Sequence, residues 1–98
     1  MNIDSTAPAA SAQDTPPPLR LKPLFRLQWE NAQNAYVLLY PEGMVKLNQS
    51  AAEILKRCDG TRSIDAVIAE LETTFEATGI GDEVRAFVAQ ARLRGWLE

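Results

Sequence analysis

The chain has 98 residues, 46% of them hydrophobic, with 13 acidic against 10 basic side chains and a net charge of −3, enough for one small globular domain and too little for two. Its basic residues are scattered among acids, which argues against a general nucleic-acid surface, since phosphate neutralisation needs clustered Lys and Arg in excess. Histidine is absent and Cys58 is the single cysteine, so the commonest general base, the Ser/His and Cys/His nucleophile pairs, the most frequent zinc ligand and an intrachain disulfide are all excluded.

No basic-then-apolar start reads as a secretory signal, and no apolar run approaches membrane-spanning length. A cytoplasmic protein is expected. Residues 1–19 are rich in Ala, Ser, Thr and Pro and end near Pro16-Pro17-Pro18, too poor in apolar surface to offset ordering entropy, and predict a disordered tail. The ordered domain is expected over 20–98.

From Leu24 the pattern alternates, with Phe25, Leu27 and Trp29 on one face and Arg26, Gln28 and Glu30 on the other, which predicts a half-buried strand. Asn31 to Asn34 is turn-prone. Ala35-Tyr36-Val37-Leu38-Leu39-Tyr40 is β-branched, aromatic and apolar on both faces, as a central strand should be. Pro41-Glu42-Gly43 then predicts a tight hairpin, followed by a third strand, Met44-Val45-Lys46-Leu47. In a meander this strand lies at an edge, protected by its shortness and by Lys46, and an edge of that kind also suits a strand that waits for a peptide.

Asn48 or Ser50 can cap a first helix whose stripe is Ala51, Ile54, Leu55 and Cys58, with Asp59-Gly60 as the stop. Ser63 can cap a second helix with Ile64, Val67, Ile68, Leu71 and Phe75 inward and Asp65 in its first turn. After Thr78-Gly79-Ile80-Gly81, Asp82 can cap a third helix with Val84, Phe87, Val88 and Ala91 buried, ended by Gly95, beyond which Trp96-Leu97 should fold back on the core.

Most features that resemble chemistry have a plainer role. Cys58 sits on an apolar stripe without a histidine to activate it, and reads as core. Glu70, Glu72, Glu76, Asp82 and Glu83 read as solvated helix faces rather than a metal or acid/base cluster. Trp29 and Trp96 read as core or core-edge anchors, and Gly79 and Gly81 as loop glycines without the strand or Lys-Ser/Thr of a phosphate loop.

Three strands followed by three helices is an α+β, winged-helix-like layout, a three-stranded antiparallel meander leading into a three-helix bundle. The run Leu39 to Asn48, then Ser50-Ala51, Ile54-Leu55 and Cys58-Asp59-Gly60, flanked by Phe25 to Glu30 and by Arg94-Gly95-Trp96-Leu97, resembles the PqqD family of RiPP recognition elements over about residues 21–98. The resemblance implies a non-catalytic peptide chaperone of pyrroloquinoline quinone biosynthesis. Such a chaperone binds the precursor peptide PqqA and presents it to the radical SAM enzyme PqqE, which cross-links a Glu and a Tyr of the peptide. It needs no cofactor of its own, because the iron–sulfur clusters and S-adenosylmethionine belong to PqqE. In that class the peptide adds to the third strand against the third helix, which carries over to Met44, Val45, Lys46 and Leu47 and, by helical spacing, to Arg85, Val88, Ala89 and Arg92.

The topology alone also admits a DNA-binding winged helix, a reading that the acidic charge opposes. The open strand edge leaves room for a homodimer without requiring one.

Overall fold

The computed structural model describes residues 17–98, so the tail expected over 1–19 lies outside the described residues as far as position 16. The order of elements is β1 (Arg26–Glu30), β2 (Ala35–Tyr40), β3 (Gly43–Lys46), α1 (Gln49–Lys56), α2 (Ile64–Thr74) and α3 (Gly81–Leu93). This is the expected α+β layout, an antiparallel sheet in the order β1-β2-β3 followed by three helices.

Alternation in the strands decides the two sheet faces. The register Leu27↔Leu38↔Val45 and Trp29↔Tyr36 puts these side chains on one face with Phe25, Tyr40 and Leu47, and this face carries the helices. Phe25 stacks on Tyr40 at 5.4 Å, and Trp29 meets Tyr36 edge-on at 5.2 Å. Trp29 is nonetheless 45% exposed, a core-edge rather than a core residue, with its indole N–H donating to Asn31 Oδ1 at 2.7 Å. The other face holds Arg26, Gln28, Leu39, Met44 and Lys46 around Val37, which has no exposed surface.

Of the two candidate caps for α1, Asn48 is the one used: its Oδ1 accepts from the Ala51 N–H at 2.8 Å, and Ser50 lies inside the helix. The stripe Ala51, Ile54, Leu55 and Cys58 is buried as its spacing demands. The helix stops at Lys56 rather than at Asp59-Gly60, because Arg57 already leaves helical geometry as the C-cap. Ser63 caps α2, accepting from the Ala66 N–H at 3.2 Å. Phe75, expected inside, is the C-cap of α2 and 46% exposed. Asp82 is not a cap: α3 begins at Gly81 behind Ile80 with no side-chain cap, which leaves Asp82 in the first turn to oppose the dipole. Gly95 does end α3. With φ at +81° it lets its own N–H reach the Arg92 carbonyl and the Trp96 N–H reach the Ala91 carbonyl, closing the helix in the Schellman manner.

Leu19, grouped with the tail by composition, is 1% exposed and belongs to the core. Its N–H donates to the Arg62 carbonyl and its carbonyl accepts from the Gly60 N–H, both at 2.8 Å, while Arg20 bridges Asp59 and Leu21 bridges Leu97. The segment thus clasps the α1–α2 loop to the C-terminus. Gly60, at φ +88°, lies directly under the Arg20 guanidinium; the left-handed backbone is what calls for glycine there, since the arginine end could swing aside from a Cβ.

Candidate functional site

One backbone bond settles which way β3 faces. The Leu47 N–H donates to the Tyr36 carbonyl at 3.0 Å. Because hydrogen-bonded and non-bonded pairs alternate along an antiparallel ladder, Val45 also directs its backbone to β2, at Leu38, whereas Met44 and Lys46 direct theirs outward. The N–H and C=O groups of these two residues stand on an edge that no described strand covers. Side chains alternate the other way, so Val45 and Leu47 turn toward the helices, while Met44 and Lys46 lie on the opposite face.

Between this edge and α3 runs a cleft of about 250 Å³. Its floor is the buried trio Leu47, Ala51 and Ala91. Its walls are Val45, Phe87 and Trp96, and its polar margin is Lys46, Asn48, Gln90 and Arg94. Phe87 and Trp96 face one another at 6.5 Å, and the Arg94 guanidinium lies 5.6 Å from the centre of the Trp96 ring, within cation–π range. No carboxylate lines the cleft. An apolar trough with Arg94 at its margin and free backbone groups along one side suits an extended peptide that turns alternate apolar side chains inward and carries a carboxylate near the rim.

Of the strand half of the sequence-derived site, Val45, Lys46 and Leu47 border the cleft, whereas Met44 is exposed on the other face of the sheet and offers only its outward backbone to this edge. The helix half is elsewhere. Val88 is 1% exposed and inside the core. The Arg85 guanidinium reaches Asp65 on α2 at 2.6 Å, and Arg92 Nε donates to the Glu98 carbonyl at 3.3 Å. At about 100° per residue, Arg85, Ala89 and Arg92 project roughly 140–160° away from Phe87. The helix face turned to β3 carries Phe87, Gln90, Ala91 and Arg94 instead, and these replace Arg85, Val88, Ala89 and Arg92 as the helix wall. Spacing from a buried stripe names two flanks, and only the packing of α3 beside β3 shows which of them borders the cleft.

The remaining polar groups are occupied by the fold. Arg57 joins Glu53 at 2.9 Å and Glu70 at 2.5 Å, and Arg62 joins Glu70 at 3.1 Å and Asp59 at 3.2 Å, tying α1 to α2. The hydrogen bond from Arg57, assisted by Arg62, holds the Glu70 carboxyl below its ordinary range. Asp59 is held low by the Thr61 hydroxyl and N–H. Partial burial opposes ionisation of Glu53, yet Arg57 and Lys56 outweigh it and lower that group too. The Cys58 thiol donates to the Ile54 carbonyl at 3.3 Å, and burial pushes it up to about 11, the reverse of an activated nucleophile. Among the described residues no cluster of three Cys, Asp or Glu could hold a metal ion, and no helix is long and apolar enough to cross a membrane.

The family model for coenzyme PQQ synthesis protein D (PqqD) matches residues 35–97. A protein of Azotobacter vinelandii named PqqA binding protein is 59% identical over 75 residues, which are 76% of this chain and 82% of the relative. One of the same name from Methylococcus capsulatus is 47% identical over 79 residues, covering 81% and 85%. Among solved structures, the PqqD truncation of Methylobacterium extorquens PqqCD, described as a stand-alone RiPP recognition element, superposes with a TM-score of 0.70 at 28% identity, covering 82% of this chain and 87% of that one. The heterocyclase TruD shares the fold, with a TM-score of 0.65 at 19% identity over 84% of this chain and 11% of its own.

Proposed function

This chain belongs to the PqqD family, and we propose from that premise that it is a non-catalytic binding protein for the precursor peptide PqqA, which adds as a fourth strand along β3 and packs against α3. The observation that carries the mode of binding is the outward direction of the Met44 and Lys46 backbones beside the Phe87–Trp96 trough. The names of the relatives support the ligand. Inward side chains of the added strand would meet Val45, Phe87 and Trp96, and outward ones would meet Met44 and Lys46 on the other face of the sheet. Carboxylates of the peptide are favoured by Arg94 at the cleft margin and, on outward side chains, by Lys46 on the other face of the sheet, and their attraction weakens with salt.

In this reading the chain holds the peptide extended in the cytoplasm and presents it to the radical SAM enzyme PqqE, which supplies the clusters and S-adenosylmethionine. Strand addition leaves the far edge, β1, and the outer helix face with Arg85, Ala89 and Arg92 free for such a partner. Isothermal titration with PqqA tests the reading: saturable one-to-one binding that weakens as salt rises is expected, and no heat at high micromolar concentrations would sink it.

A further inference from the structure

The cleft beside β3 does not end at Asn48. Asn48, Ala51 and Phe87 line it and also line a second, larger cavity of about 460 Å³ that opens where the start of α1, the end of α2 and the start of α3 converge. That cavity is apolar: Ile54, Leu71 and Val84 form its buried base, and Phe75 stands on its wall with nearly half its surface exposed. A half-exposed aromatic beside an apolar hollow forms with it one continuous patch that an apolar side chain of a ligand can cover.

Two features say what would cover it. The first is continuity, since an added strand pairing with Lys46 and running toward Leu47 arrives over Asn48 and the Phe87 ring, the partition between the two hollows. The second is a change of charge. The β3 cleft has Arg94 at its margin and no acid, the Lys46 side chain standing on the other face of the sheet, whereas the second cavity has Glu53 and Glu83 and no base. Glu53 is already matched by Arg57 and Lys56, which leaves Glu83 to oppose any carboxylate brought to this end. A ligand spanning both hollows is thus favoured in one polarity: acidic residues beside Arg94, and bulky apolar residues without adjacent acids beyond Asn48.

We propose that the cavity between Phe75, Ile80 and Phe87 is a second subsite of the same peptide site, receiving one or two bulky apolar side chains from the residues just beyond the added strand. The inference rests on the strand-addition reading and deepens it. The site is then bipartite, with backbone pairing along β3 fixing register, and apolar insertion past Asn48 fixing direction and selecting the side chains there.

The test uses the full chain and PqqA. Ala77 lines only the second cavity, so Ala77→Trp fills it without touching the β3 cleft. Phe75→Ala removes its wall. Calorimetry should show Ala77→Trp weakening PqqA about tenfold and Phe75→Ala weakening it about threefold to tenfold, with unchanged melting temperature for Ala77→Trp. Independently, in the wild-type complex, methyl protons of Ile54, Ile80 and Val84 should show intermolecular contacts to peptide side chains by isotope-filtered NMR, which decides the matter even if a variant fails to fold. If Lys46→Pro weakens PqqA while both cavity variants bind within about twofold of wild type, or if those methyls contact no peptide proton or contact a second copy of the chain instead, the subsite is overturned and strand addition stands. If wild type binds no PqqA at all, the strand-addition reading itself fails and the subsite falls with it.

Discussion

The Leu47 N–H donates to the Tyr36 carbonyl at 3.0 Å, and this bond divides β3 into residues that hold the sheet together and residues that face solvent. Proline substitution reads that division directly. Lys46→Pro deletes an outward donor on an edge strand, a place where proline is tolerated. The fold should survive with melting temperature nearly unchanged, and PqqA affinity should drop about tenfold, the worth of roughly one backbone hydrogen bond plus imperfect fit. Val45→Pro deletes the donor that faces Leu38 and should lower the melting temperature by many degrees. Normal binding by both variants in calorimetry would rule out strand addition.

Leu19 tests whether the N-terminal clasp belongs to the domain. With its side chain in the core and both backbone groups bonded to the α1–α2 loop, Leu19→Ala should cost about 2–5 kcal/mol in chemical denaturation, as other buried leucines do. A loss below about 0.5 kcal/mol, the range of surface substitutions, would place the true boundary after it.

Acid should weaken the fold through Glu53, Asp59 and Glu70. All three carboxyls are lowered in the folded state by their partners. Their contribution is therefore present above the ordinary carboxylate range and is lost as pH falls through the depressed folded values. Melting temperature should fall between pH 6 and pH 3. Glu70→Gln should lower it at pH 6 and reduce the difference between the two pH values, whereas an unaltered pH profile would show that the Arg57–Glu70–Arg62 arrangement contributes nothing.

Cys58 should be inert while the chain is folded. Its thiol is buried and pushed up to about 11, so at pH 8 little thiolate exists and what exists is covered. Labelling by a thiol-specific disulfide reagent should be slow and should accelerate on adding denaturant. Rapid stoichiometric labelling in native buffer would show that the core around Ile54 and Cys58 opens readily.

Local pattern carried most of the architecture. The apolar run Ala35 to Tyr40 is the central strand, paired along both edges with Val37 and Leu38 buried at its middle, and the stripe Val67, Ile68 and Leu71 is buried at the spacing that placed it there. Features that depend on distant partners were not legible. Leu19 reads as tail until Cys58, Gly60, Arg62 and Leu97 are brought beside its segment. Lys46 reads as part of the groove until the ladder register shows its side chain on the opposite face from Val45. Phe87, Gln90 and Arg94 border the cleft, a choice of helix flank that periodicity alone leaves open until α3 is set beside β3.

The most direct test of the central claim is an amide chemical-shift map of the labelled chain with and without PqqA. Saturable shifts are expected at Met44 to Leu47 and along Phe87, Gln90, Ala91 and Arg94, with the Met44 and Lys46 amides also gaining protection from exchange. Shifts confined to β1 or to the Arg85–Ala89–Arg92 face, or Met44 and Lys46 amides that exchange as fast in the complex as in the free chain, would contradict it.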